Sequence, residues 1–131
     1  MKTIYPTPEK IIEYNLLILN LIKTKKADQP KLLSYSKLTH TINECIKQEG
    51  DLYDKATTLL KELIQKHPFA SGNRRTAFIT TKAFLQENKQ HIAIKNDPTH
   101  AKAMTGIREN YYNHEEIKRW LQHGKIREFK R

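Results

Sequence analysis

Apolar residues recur at helical spacing from the start of the chain. Ile11, Ile12, Leu16, Leu19 and Ile22 predict a first helix. Thr7 is placed to cap it, with Pro8 at its first position and Glu9 in its first turn. The run KTKKADQPK, residues 23–31, breaks the pattern. A second helix is predicted over 36–48, with Leu38, Ile42, Cys45 and Ile46 inward and Gly50 ending it. Asp51 predicts the cap of a third, which turns Leu52, Ala56, Leu59, Leu60, Leu63 and Ile64 inward. HPFASG, residues 67–72, reads as a loop. Asn73 then predicts the cap of a fourth helix running through Ala77, Phe78, Thr81, Phe84 and Leu85. Ile92 to Ile94 form a short apolar segment of no assigned type. Asp97-Pro98 marks the start of a fifth helix. Asn113, followed by Glu115 and Glu116, starts a sixth that buries Ile117, Trp120 and Leu121 and stops at Gly124. The pattern is all-α: one domain over 1–131, a bundle of about six helices. Residues 32–36 are left as loop or a small hairpin.

Composition narrows the partners. The chain has 131 residues, 37% hydrophobic, and a net charge of +10. That length supports a core without staples. The charge calls for an acidic partner: nucleic acid, nucleotide or acidic protein. A single cysteine, Cys45, excludes an internal disulfide and suits a reducing cytosol. The longest apolar run, Leu16 to Leu19, is too short to span a bilayer. The N-terminus, MKTIYPTPEK, has no apolar stretch of the kind a signal peptide carries. Six histidines are present, none paired with another at metal-ligand spacing. Cys45, Trp120 and the Tyr111-Tyr112 pair read as packing residues.

The candidate chemistry lies in HPFASGNRRT, residues 67–76. A helix starting near Asn73 leaves backbone N–H groups unpaired, and its dipole favours an anion there. Gly72 lets a ligand approach the main chain closely. Arg74 and Arg75 offer guanidinium groups suited to phosphate oxygens. Thr76 is within reach of the same site. His67 is a candidate general base at the end of the preceding helix, and Phe69 a candidate anchor under the loop. Base plus phosphate cradle suggests phosphoryl or nucleotidyl transfer. Spacing alone also leaves open a plainer reading: a surface histidine, a Pro68–Gly72 turn and a basic helix start.

The segment resembles the Fic/Doc signature: His, any residue, Phe, any residue, an acid, a small residue, Asn, Gly or Lys, Arg. His67, Phe69, Gly72, Asn73 and Arg75 match it. Arg74 stands where Doc-type members (the death-on-curing toxins) carry lysine, and Thr76-Ala77 also looks Doc-like. Phe78 occupies the place of a second arginine usual in AMP-transferring Fic enzymes. The likeness runs over about residues 50–124, with the N-terminal third matching only in helix pattern. It implies a Fic/Doc helical fold and transfer of phosphate, or AMP, from ATP or another nucleoside triphosphate. The acceptor would be a serine, threonine or tyrosine hydroxyl of a target protein. His67 would be the general base, and Gly72, Asn73, Arg74, Arg75 and Thr76 the phosphate-binding residues. An antitoxin would act in trans, because Cys45 stands where an inhibitory Ser/Thr would precede Glu49-Gly50. The implied setting is cytoplasmic and away from membranes; a basic nucleic-acid-binding module is the rival reading.

The family's acid that holds Mg²⁺ is replaced by Ser71. A neutral hydroxyl is a much weaker Mg²⁺ ligand than a carboxylate. Three accounts stay open: reduced or lost activity in a protein that still binds nucleotide or antitoxin, an acid supplied from elsewhere such as Glu62, or partial replacement of the metal's charge by Arg74 and Arg75.

Overall fold

A computed structural model of the chain describes residues 2–21, 31–95 and 98–130, apart from the side chains of residues 98 and 99. Among these, six helices follow in order: α1 Pro8–Leu21, α2 Tyr35–Lys47, α3 Leu52–Lys66, α4 Asn73–Glu87, α5 Pro98–Arg108 and α6 His114–His123. The all-α expectation holds. Ile22 and Asp97, assigned to the end of one helix and the start of another, lie outside the described residues, as does most of the basic run 23–31.

α3 is the central helix and packs against α2, α4, α5 and α6, while α1 lies against α4 and α2. Its apolar residues Ala56, Leu59, Leu60, Leu63 and Ile64 are all buried. Asp51 caps it, and Asp54 completes a capping box by accepting from the Asp51 amide at 2.8 Å. Asn113 and Glu116 build the same reciprocal cap at α6.

Three helices differ from the pattern in a face or a cap. On α1, Leu16 is 45% exposed and Asn15 is 2% exposed, so a polar residue takes the place expected of an apolar one. On α2 the cap is Ser34, whose hydroxyl accepts from the Lys37 amide, so the helix begins at Tyr35. Thr41 is buried there and Ile46 is exposed. At α4 the cap position is Gly72, not Asn73.

Residues 32–36 form no hairpin. Leu32 instead makes an isolated antiparallel bridge with Phe69. The Leu33 amide donates to the Pro68 carbonyl at 2.8 Å, and the Ala70 amide to the Lys31 carbonyl at 2.9 Å. The loop before α4 must satisfy its main-chain groups, and it does so on this passing strand.

Candidate functional site

Residues 67–72 link the end of α3 to the start of α4. His67 closes α3 in left-handed backbone (φ 52°), which turns the chain sharply, and its side chain is exposed. A non-glycine residue in this region is uncommon and stores strain. Phe69 is 1% exposed and anchors the loop in the core.

Asn73 is the loop's clip. Its Oδ1 accepts from the Phe69 amide at 3.0 Å, and its Nδ2 donates to the Phe69 carbonyl at 2.8 Å. The side chain expected to cap α4 and hold phosphate is therefore buried and doubly engaged. The cap falls to Gly72, in left-handed backbone (φ 76°), with no side-chain hydrogen bond to the helix start. Neither Gly72 nor the Asn73 side chain thus caps the first-turn amides of α4, the kind of group that binds anions. A Cβ on Gly72 would lie 3.2 Å from Leu19 Cδ2 and 3.3 Å from Asn15 Nδ2.

Asn15 is a second clasp, which sequence reasoning missed. Its Nδ2 donates to the Ser71 carbonyl at 3.0 Å and to Thr76 Oγ1 at 3.1 Å. Thr76, expected among the phosphate ligands, is turned inward and 1% exposed. Arg74 reaches across to α5, where its Nη1 donates to Thr105 Oγ1 at 2.8 Å. Arg75 is exposed and has no hydrogen-bond or ion-pair partner among the described residues. The structure therefore brings His67, the α4 amides and Arg75 to the outside of one loop, and withdraws Asn73 and Thr76 into its support. Beyond Arg74, a cleft of about 420 Å³ is lined by Lys102, Thr105, Glu128, Phe129 and Lys130.

The donor set does not fit Mg²⁺. Residues 67–75 contain no carboxylate. Glu62, the sequence's substitute, pairs with Lys66 on its own helix at 3.5 Å. Asp54, His114 and Glu115 do have ligand atoms within 4.8 Å of one another. Residues from two different helices supply them, so spacing could not reveal the group. Lys118 already holds Asp54 Oδ2 at 3.0 Å. Asp54 also lies at the opposite end of α3 from His67, about 20 Å along the axis, too far to bridge phosphates at the loop.

The remaining candidates are structural. Cys45 is fully buried, its S–H donates to the Lys55 carbonyl at 3.4 Å, and burial pushes its thiol up to about 12. Tyr112 is buried and donates to the Arg127 carbonyl, while Tyr111 packs edge-on against Tyr112 and Phe129. Trp120 is 4% exposed beside the ring of His100, which Phe78 covers on α4. Among the described residues no helix is long and apolar enough to cross a membrane.

Compared with known families, residues 3–85 match the model of the Fic/DOC family, more than half of the chain. The match takes in the N-terminal third, where the sequence pattern had suggested only helices, and stops within α4. No curated protein matches the chain.

Proposed function

The chain belongs to the Fic/DOC family, and from that premise we propose a Doc-like transferase whose activity is weakened at Ser71. Family membership points to chemistry of the nucleotide-transferase type, with a nucleoside triphosphate as substrate and a protein as acceptor. The observation that carries the reading is the start of α4: Gly72 has no side chain to cap it and Asn73 is committed to Phe69, so neither residue's side chain covers the first-turn amides. These amides and Arg75 hold phosphate oxygens, and Arg74 adds positive charge from its perch on Thr105. His67 takes the proton of the acceptor hydroxyl as that oxygen attacks phosphorus. Attack at the γ-phosphorus expels ADP and leaves a phosphorylated protein; attack at the α-phosphorus expels pyrophosphate and leaves an AMP ester. Arg74 and Phe78, both Doc-like in the motif, favour the γ route.

A bound Mg²⁺ would neutralise phosphate charge; without a carboxylate in residues 67–75 to hold one, that task falls to the arginines and amides. Removing a partner that merely orients a metal ligand costs about 10–100-fold, so the missing carboxylate predicts a slow enzyme. The same observation favours a second reading, a non-catalytic member that binds nucleotide or antitoxin. The antitoxin in trans and the cytoplasmic setting belong to this proposal, together with an acceptor serine, threonine or tyrosine.

Titration with ATP, followed through backbone amide shifts, tests the site. The amides of residues 72–75 move and saturate, Arg75→Ala weakens binding about tenfold, and His67→Ala leaves binding intact. Shifts confined to other surfaces would remove the phosphate cradle from the account.

A further inference from the structure

The end of α5 lies beside the loop. α5 packs on α3 and buries Ala103, Met104 and Ile107. Gln65, two residues before His67, donates from Nε2 to the Ile107 carbonyl at 3.0 Å and fixes that end of α5 next to the end of α3. Thr105, half-buried on the same turn, is thereby a fixed point.

The hydroxyl of Thr105 has its bonds in a set order. It donates to the Ala101 carbonyl at 3.1 Å, the back-bond common for a helical threonine. Its lone pairs are left to accept from Arg74 Nη1, at 2.8 Å. The acceptor is neutral, so the charge of Arg74 stays unspent. Arg74 is exposed, and no ion pair engages it among the described residues. Consecutive residues on a helix point about 100° apart. Arg75 has no partner and Arg74 is drawn onto α5, so the two guanidinium groups stand on different sides of the α4 start. The cleft of about 420 Å³ opens on the side of Arg74, with Thr105 on its wall. Lys102, also on that wall, is matched by Glu128 at 2.9 Å, while Lys130 has no ion-pair partner among the described residues.

We infer that Thr105 is a positioning residue: it holds Arg74 ready for a second phosphate of a ligand whose first phosphate sits on the α4 amides. This role rests on the phosphate-cradle reading of α4, and it adds selectivity for ligands with two or more phosphates. A lone phosphate on the amides is served by Arg75, which is free to turn to it. A further phosphate meets Arg74 on the cleft side, where the space lies. An arginine has many rotamers, and ordering one at the moment of binding costs affinity. The bond to Thr105 orders Arg74 beforehand.

Calorimetric titrations of the whole chain with ATP and with AMP test it. Thr105→Val keeps the branched shape and removes the acceptor. Thr105→Ala makes the same deletion with a better helix former, should the first variant fold poorly. Either one weakens ATP about threefold to tenfold and leaves AMP within about twofold. Thr105→Ser, which keeps the hydroxyl, restores the ATP affinity. In an Arg74→Ala background Thr105→Val costs nothing further, which separates positioning from a merely structural role. Three results would overturn the inference while the cradle stands: ATP binding untouched by Thr105→Val, ATP and AMP weakened equally, or a further loss in the Arg74→Ala background. No saturable binding of ATP by the unaltered protein would overturn the cradle, and this role with it.

Discussion

Asn73 joins both ends of its amide to the backbone of Phe69, and that one contact separates support from chemistry in the loop. Asn73→Ala leaves a buried N–H and C=O unpaired, a loss of about 1–3 kcal/mol. Chemical denaturation checks this, with the loop amides losing hydrogen-exchange protection first. Gly72→Ala forces a left-handed conformation at an estimated cost of about 1–2 kcal/mol and crowds Leu19 and Asn15. Cys45, with its thiol pushed up to about 12 and its sulfur buried, is expected to resist thiol reagents at pH 8 until the protein unfolds. Ellman titration with and without guanidinium reads this directly; fast labelling of the native protein would contradict it. At this scale the sequence disclosed only part of the candidate loop's architecture. His67 and Arg75 are exposed, as residues expected to act through their type at a helix start must be. Asn15 was not legible, because the second half of α1 is apolar nearly all round and the hydrophobic pattern could not choose which face turns inward. Asn73 was legible as important but not in its role, since N-cap propensity competed with a clip that only the folded loop offers.

Helix starts explain why most elements were readable. Asp51 and Asn113 cap α3 and α6 with carboxylate partners three residues on, a signal local to the sequence. The bridge between Leu32 and Phe69 is nonlocal, and no period or turn residue announces it. Asp54 fastens the starts of α3 and α6 by meeting His114 at 2.9 Å and Lys118 at 3.0 Å. Burial alone would raise its carboxyl; hydrogen bonds from His114, the Asp51 amide and Lys118 overcome this and hold it down at about 2. The unfolded carboxyl titrates near ~3.9. The stabilisation is therefore complete above about pH 4 and is lost as pH falls through about 2. Urea denaturation across this window should show wild type losing more stability than Asp54→Asn, which starts lower at neutral pH. Equal slopes would remove Asp54 from the acid response.

The whole molecule carries a net charge of +10, which attracts any polyanion. A surface that neutralises several nucleic-acid phosphates loses about 10³-fold or more in affinity between 50 and 200 mM salt. ATP at one helix start should lose less than about tenfold over the same range. Parallel titrations with ATP and duplex DNA separate a built phosphate site from a generally basic surface. α3 and α4 set the loop between them, and α1 reaches it through Asn15. Ser71 contributes its carbonyl to that clasp, so replacing its side chain alters the donor set without removing the clasp. The decisive measurement follows label transfer from ATP carrying it at either the α or the γ phosphate. It compares the protein, its Ser71→Asp form and the His67→Ala form of each, with Mg²⁺ and cell lysate. The account predicts weak γ-label transfer by the protein, at least about tenfold more by Ser71→Asp, and none by either His67→Ala form. Transfer that survives His67→Ala, or absence of label in every form, would contradict it.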